Sequence, residues 1–106
     1  QLGGEGRNSL PFYFMKKWYL YIVKCSDDSL YTGITTDIDR RVVEHNASKR
    51  GAKYTRSRRP VALMMVKEYC SRALAASAEA RVKSLTRKQK LELIKVSGVR
   101  SDKTEK

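Results

Sequence analysis

The sequence predicts an α+β domain with a three-stranded, mainly antiparallel sheet flanked by helices, in the order ββαβαα. Two stretches of aromatic and branched residues, 18–23 and 30–35, enclose a short polar turn and predict a β-hairpin. Residues 71–84 are rich in Ala and Leu and contain no Gly or Pro, which is typical of a helix. Thr86 and Gln89 have the spacing of a capping box, which opens a further helix.

The length of the hairpin turn predicts the register of its strands. A three-residue loop pairs Tyr21 with Gly33. The same loop pairs Val23 with Tyr31, and the two tyrosines then lie on one face as diagonal neighbours, about 5–8 Å apart. Gly33 is expected to leave open space opposite the Tyr21 ring, as the close approach of a phosphate backbone requires. A shift of one residue would place the two hydroxyls on opposite faces.

The segment after the hairpin predicts a helix, a basic loop and a third strand. Thr36 is expected to cap the helix with Asp39 as its N3 residue, and the helix continues to about Asn46. The loop, residues 48–60, holds six positive residues and no negative one. Residues 61–69 then supply the third strand.

Length and charge predict one domain that attracts polyanions. The chain has 106 residues, of which 41% are hydrophobic, enough for one modest core. It carries 23 Lys and Arg against 11 Asp and Glu, a net charge of +12. Nucleic acid is therefore the expected partner, and no small-molecule substrate is expected. An anionic membrane surface is the alternative partner. The other alternative is that the basic surface binds no partner and only keeps the protein soluble.

Neither a disulfide framework nor a targeting segment is expected. Cys25 and Cys70 lack the density of a disulfide scaffold and the spacing of zinc ligands, so we interpret both as free thiols in a reducing cytoplasm. The apolar stretch 10–23 is interrupted by Lys16 and Lys17, and no cleavage site follows it. A soluble, cytoplasmic protein without a membrane span is expected.

The chain is expected to divide into three segments. Residues 1–14 are rich in Gly and lack periodicity, whereas Met15 and the two lysines after it are typical of a natural start, so 1–14 are expected to be an upstream segment. Residues 15–97 are expected to form the folded domain. Residues 98–106 are expected to be a disordered basic tail.

The predicted hairpin carries two short triplets, Tyr19-Leu20-Tyr21 and Tyr31-Thr32-Gly33. Both resemble, in residue type and position, the two signature triplets of the GIY-YIG nuclease family. Residues 31–45 also match the family's tyrosine, arginine and histidine spacing. The resemblance covers residues 18–94, and within the family the chain is most similar to the small stand-alone bacterial branch. It implies the GIY-YIG fold, shared with phage homing endonucleases and the bacterial excision-repair incision enzyme, and a cation-dependent endonuclease activity.

Arg41 and His45 lie four residues apart, so they project from one side of the first helix. The planar guanidinium of Arg41 is suited to hold the scissile phosphate and to stabilise its charge during attack. His45 is suited to relay a proton, or to hydrogen-bond a tyrosine or a phosphate. We expect Tyr31 to activate a water and Tyr21 to orient either that water or the phosphate. The sequence leaves open whether Tyr31 or His45 finally removes the proton.

Glu79 is the candidate metal ligand, because the resemblance places it at the family's metal-binding glutamate. Magnesium takes oxygen ligands and is often held by one carboxylate with several waters. The expected cofactor is therefore Mg²⁺ or Mn²⁺. The alternative is that Glu79 is an exposed partner for Lys83, four residues later on the same helix.

Two basic clusters predict contacts to a nucleic-acid backbone rather than to base edges. The residues expected to bind nucleic acid are Lys49, Arg50, Lys53, Tyr54, Arg56, Arg58 and Arg59 in the loop, and Lys83, Arg87 and Lys88 in the second cluster. Tyr54 is expected to act as a stacking ring. A solvated basic surface is the alternative interpretation.

Three hypotheses for function follow. The first is a nuclease in repair or recombination, with DNA favoured over RNA as its substrate. The second is a nucleic-acid-binding module with little or no catalysis, because Ile34 and Leu91 stand where several family members have lysine and asparagine. The third is a scaffold protein that binds an acidic partner.

Overall fold

The computed structural model describes residues 16–98. Its strands and helices, in chain order, are β1 (Trp18–Lys24), β2 (Leu30–Thr35), α1 (Ile38–Ala47), α2 (Lys53–Arg56), β3 (Ala62–Tyr69), α3 (Arg72–Lys83) and α4 (Arg87–Ser97). The predicted upstream segment 1–14 and residues 99–106 of the predicted tail lie outside the described residues. The α+β class is confirmed, and α2 is an addition within the predicted loop.

The three strands form one antiparallel sheet in the order β2-β1-β3. The predicted hairpin register is confirmed, since Tyr21 pairs with Gly33 and Val23 pairs with Tyr31. The turn closes through a bond from the Cys25 amide to the Ser29 carbonyl, 2.8 Å long. Between them Asp28 has a φ of 68°, a left-handed conformation that Asp tolerates better than most residues.

The pairing of β1 with β3 contains an irregularity that the sequence did not predict. Ile22 pairs with Met65, but the next residue, Val23, pairs with Leu63, so β3 carries one extra residue at this point. A bulge of this kind bends and twists the strand locally. Met65 also forms an isolated bridge with Gly98, the first residue of the predicted tail.

The two faces of the sheet bury different sets of side chains. One face packs Leu20, Ile22 and Met65 against Ala78 and Val82 of α3 and against Ile94 of α4. Each fully buried aliphatic side chain contributes about 1.5–3 kcal/mol. The opposite face holds a second cluster, Tyr21, Val23, Cys25 and Val61. The alternation of side chains along β1 therefore places the hydrophobic core on one face and Tyr21 on the other.

The helix ends follow the capping prediction with one correction. The Thr86–Gln89 capping box at α4 is confirmed, with its two bonds 3.1 and 2.9 Å long. The prediction that Thr36 caps α1 is wrong, because the N-cap is Asp37, whose carboxylate accepts from the Arg40 amide at 3.0 Å. Adjacent Thr and Asp are both good caps, so the sequence alone did not choose between them.

Both cysteines are free thiols, with Cys25 buried and Cys70 exposed. Within residues 16–98, no helix has the length and apolar character needed to cross a membrane.

Candidate active site

The hairpin brings Tyr21 and Tyr31 together on the face opposite the main core. Their ring centroids lie 6.4 Å apart, within the range that the diagonal arrangement predicts. The expectation of open space above Gly33 is wrong. A Cβ at Gly33 would lie 2.5 Å from the hydroxyl oxygen of Tyr21, so the tyrosine ring itself occupies that space. Gly33 is therefore needed to seat Tyr21, and only 1% of this tyrosine is exposed.

His45 lies beneath the two tyrosines and is completely buried. Its Nε2 atom is 2.7 Å from the hydroxyl oxygen of Tyr21, and its Nδ1 atom is 2.7 Å from the hydroxyl of Thr55. The Tyr31 ring meets the imidazole edge to face, with centroids 5.3 Å apart. Burial, reinforced by the positive charge of Arg41, lowers the pKa of His45 to about 4. The imidazole is therefore neutral at physiological pH.

Arg41 joins this group from the same side of α1 as His45. Its Nε atom lies 3.4 Å from the Tyr21 hydroxyl, and one terminal nitrogen donates to Glu44 and to the Arg50 carbonyl, both at 2.8 Å. The bond from Arg41 holds the pKa of Glu44 below its ordinary value. Burial raises the pKa of Tyr21 to about 12, although Arg41 opposes the shift. Tyr21 is therefore a neutral phenol at physiological pH.

Glu79 lies on α3, which turns Ala75, Ala78 and Val82 toward the sheet. Its side chain is 22% exposed and forms a 3.1 Å ion pair with Lys83. The carboxylate is close enough to the site for its negative charge to act on Tyr21 and to add slightly to the raised pKa of that phenol. Glu79 therefore lies within electrostatic reach of Tyr21, and its pairing with Lys83 agrees with the alternative interpretation from sequence.

The residues that could hold a metal ion fit a site with a single protein ligand. Among residues 16–98, no three His, Cys, Asp or Glu side chains cluster as a metal cage would require. A hydrated magnesium ion needs only one or two carboxylates, and Glu79 supplies an accessible one.

Members of the basic loop have different partners. The Tyr54 ring stacks on Tyr31, with centroids 5.9 Å apart, and the Arg58 guanidinium lies 3.9 Å from the same ring. Arg58 also pairs with Asp27 at 3.0 Å. Arg59 donates to backbone carbonyls at the end of α1. Tyr54, Arg58 and Arg59 are thus engaged within the protein.

The remaining basic residues face solvent. Those exposed around α2 are Lys49, Arg50, Lys53 and Arg56. In the second cluster Arg87 and Lys88 are exposed at the start of α4, and Lys83 is paired with Glu79.

Thr55 is a site residue that sequence reasoning missed. It is 0% exposed, although its neighbours in α2 are exposed basic and aromatic residues. Its hydroxyl donates to the Ala52 carbonyl at 3.0 Å and contacts His45. In the sequence Thr55 is an uncharged, β-branched residue within a strongly basic segment, and that pattern does not identify a partner.

Comparison with known proteins identifies the family of this chain. The family model described as the GIY-YIG catalytic domain matches residues 17–92. The UPF0213 protein of Staphylococcus haemolyticus is 50% identical over 80 residues, which are 76% of this chain and 96% of that protein. The UPF0213 protein of Haloquadratum walsbyi is 56% identical over 75 residues, which are 71% and 83% of the two chains.

Solved structures show the same relationship. The solution NMR structure of a UPF0213 protein from Bacillus halodurans is 45% identical, with a TM-score of 0.52, and the match covers 77% of this chain and 86% of that one. A solution NMR structure of a protein from E. faecalis is 43% identical, with a TM-score of 0.54, and the match covers 76% and 85% of the two chains.

Proposed function

We propose that this chain, which belongs to the GIY-YIG catalytic-domain family, is a divalent-cation-dependent endonuclease that hydrolyses phosphodiester bonds in DNA during repair or recombination. The observation that carries the proposal is one cluster of reactive groups: a buried imidazole and a guanidinium meet at the Tyr21 hydroxyl, and the Tyr31 ring lies 6.4 Å from the Tyr21 ring. The two free thiols support action in the reducing cytoplasm.

The environments of the two tyrosines support different roles for them. Tyr21 is buried, is hydrogen-bonded and has a pKa of about 12, so it remains a phenol and orients the attacking water. Tyr31 is partly exposed at the open side of the same cluster and activates that water. His45 is fully buried with both ring nitrogens bonded, so it reaches the water only through Tyr21.

Arg41 supplies the positive charge of the site. Two of its nitrogens are already oriented by Tyr21 and Glu44, which fixes the guanidinium before substrate arrives. A guanidinium held in this way stabilises charge that builds on the phosphate during attack. We assign Arg41 to clamp the scissile phosphate.

Glu79 is the residue that would hold the cation, Mg²⁺ or Mn²⁺. A bound cation supplies Lewis-acid stabilisation of the leaving oxygen. The 3.1 Å ion pair with Lys83 must open for this, and at 53% and 22% side-chain exposure it is a weak pair that water and a cation can replace.

That same ion pair supports a second candidate function. If the ion pair between Lys83 and Glu79 stays formed, the carboxylate does not bind a cation, and the domain is a nucleic-acid-binding module with little catalysis. The endonuclease is expected to cleave nucleic acid when a divalent cation is added. The binding module is expected to bind nucleic acid without cleaving it, with or without the cation.

The test is a cleavage assay on labelled single-stranded, duplex and branched DNA and on RNA, with and without Mg²⁺ or Mn²⁺. Glu79→Gln and Tyr31→Phe are expected to lower cleavage at least about a hundredfold while binding survives. Glu92→Gln, an exposed glutamate on α4, is the matched control and is expected to cut like wild type. Equal cleavage by all the variants would contradict the assigned site, and binding without cleavage under every cation would establish the second candidate.

A further inference from the structure

We propose that Thr55 is a positioning residue of the candidate active site: it holds His45 as the tautomer protonated on Nδ1 and thereby directs the Tyr21 hydroxyl proton to Nε2. The consequence for activity rests on the proposed nuclease function. The tautomer does not rest on it, because it follows from hydrogen bonds inside the protein.

The Thr55 hydroxyl has one proton and two neighbours. Its oxygen lies 3.0 Å from the carbonyl oxygen of Ala52 and 2.7 Å from Nδ1 of His45. A carbonyl oxygen can only accept, so the single proton of Thr55 points toward Ala52. The Thr55 oxygen then accepts from the other neighbour, and Nδ1 of His45 carries a proton.

The opposite arrangement leaves two acceptors facing each other. If Thr55 donated to His45, its oxygen would face the Ala52 carbonyl at 3.0 Å with no proton between them. The Ala52 carbonyl would still accept from the Thr55 and Arg56 amides, but the lone pairs of two oxygens would face each other where Thr55 is 0% exposed. The Tyr21 oxygen would then accept from both His45 and Arg41, and its own proton would lose its partner. The tautomer protonated on Nδ1 is the one that pairs every donor with an acceptor.

The neutral state of His45 completes the argument at Nε2. Three charged groups act on the ring: Arg41 and Arg59 disfavour an imidazolium, and Glu44 favours one. Burial is the largest cause, and together with the two arginines it outweighs Glu44 and lowers the pKa of His45 to about 4, so the ring carries one proton at physiological pH. With that proton on Nδ1, Nε2 is an acceptor, and the Tyr21 hydroxyl 2.7 Å away donates to it.

The direction of this bond decides what Tyr21 offers to a substrate. Its proton is held by His45, so its oxygen presents only lone pairs to Arg41 and to the open side of the site. Tyr21 therefore orients a water by accepting one of the water's protons. Without the Thr55 hydroxyl, His45 is free to change tautomer, and the Tyr21 proton then points outward toward the water or the phosphate.

Nitrogen NMR of the labelled full chain at neutral pH tests the tautomer. His45 is the only histidine in the chain, so its two ring nitrogens need no separate assignment. We expect Nδ1 to have the chemical shift of a protonated nitrogen and Nε2 that of an unprotonated one. A protonated Nε2 in the neutral wild-type ring overturns the proposal.

Two variants test whether Thr55 sets the tautomer. Thr55→Val removes the hydroxyl but keeps a similar shape, and it is expected to shift the equilibrium toward protonated Nε2, whereas Thr55→Ser restores the wild-type spectrum. Tyr21→Phe removes the donor to Nε2 and keeps Thr55, so Nδ1 is expected to stay protonated even if Thr55→Val does not fold. A wild-type tautomer in Thr55→Val, or a changed tautomer in Tyr21→Phe, overturns the role of Thr55.

Kinetics test the consequence for activity. Thr55→Val is expected to lower kcat about tenfold with KM for DNA nearly unchanged, and Thr55→Ser to recover kcat. Equal kcat for Thr55→Val and wild type overturns the link from tautomer to activity. A wild-type protein that binds DNA but never cuts it overturns the nuclease proposal instead, and the NMR result is unaffected.

Discussion

Gly33 is required at its position because the ring of Tyr21 lies where a side chain would be. A Cβ there would be 2.5 Å from the Tyr21 hydroxyl oxygen and 2.7 Å from the ring carbon that bears it. The tyrosine cannot move away without leaving His45, to which it is bonded at 2.7 Å. The glycine therefore serves the geometry of the site rather than the conformational freedom of the backbone.

Gly33→Ala is expected to destabilise the protein by about 1–3 kcal/mol, because the added methyl overpacks a buried ring. Chemical denaturation of the variant measures this cost. The control is the same substitution in a Tyr21→Ala background, where the clash is absent and the cost is expected to be smaller. Equal costs in the two backgrounds would show that Tyr21 is not the residue that excludes a side chain.

His45 makes the stability of the protein depend on pH in a defined window. Its folded pKa is about 4, below the ordinary value of about 6.5. Between these values the unfolded chain binds a proton that the folded protein does not, so the free energy of unfolding falls as pH falls from about 6.5 toward 4. Denaturation at a series of pH values measures the slope.

The control for this slope is His45→Gln, which leaves the chain without any histidine. Comparison is restricted to about pH 5–6.5, above the range where the carboxyl groups titrate. In that range the slope of the variant is expected to be close to zero. Identical slopes in both proteins would mean that His45 titrates normally when folded.

At the scale of the elements, the start of α1 allows a sharp test of a helix cap. Asp37→Ala removes the bond to the Arg40 amide and is expected to cost about 1 kcal/mol. Thr36→Ala at the preceding position is the matched control and is expected to change stability by less than about 0.5 kcal/mol. Thermal or chemical denaturation distinguishes the two, and the reverse order would restore Thr36 as the cap.

The sequence predicted the hairpin register because the turn length and the alternation of side chains both constrain it. It did not predict the bulge in β3, since nothing in an apolar strand marks an extra residue between Leu63 and Met65. It also missed α2, because a four-residue helix has too few positions to show a period. Local sequence patterns thus predicted how the hairpin strands pair, but they did not reveal the bulge in β3 or the short helix α2.

In the candidate site as well, the sequence predicted relations between residues on one element but not contacts between residues on different elements. Arg41 and His45 are neighbours on one helix, so their spacing alone predicted a shared side. His45 and Thr55 are ten positions apart, on two helices joined by the irregular segment 48–52, and no periodicity relates the two positions. Likewise, the sequence showed Arg58 as a free cation, but its partner Asp27 is 31 residues away in the β1–β2 turn.

At the scale of the whole molecule, the net charge is +12, but the basic side chains differ in how freely they can contact a polyanion. In the basic loop, Arg58 and Arg59 are bonded within the protein, and they hold the loop against the hairpin turn and the end of α1. The loop's exposed cations are Lys49, Arg50, Lys53 and Arg56. Four phosphate contacts in duplex DNA predict a slope of about −3 to −4 in a plot of log affinity against log salt.

Lys53→Gln is therefore expected to weaken DNA binding at every sequence and to reduce the magnitude of the salt slope by about 1. Lys95→Gln removes an equal charge from the exposed last turn of α4, and its slope is expected to match wild type. Arg58→Gln should lower stability while changing the slope little, because the side chain is bonded to Asp27 and to the Tyr54 carbonyl. Titrations of a labelled duplex at several salt concentrations measure all three. Equal slopes for wild type and Lys53→Gln would show that DNA binds away from α2, since the release of counterions depends on which cations contact phosphate.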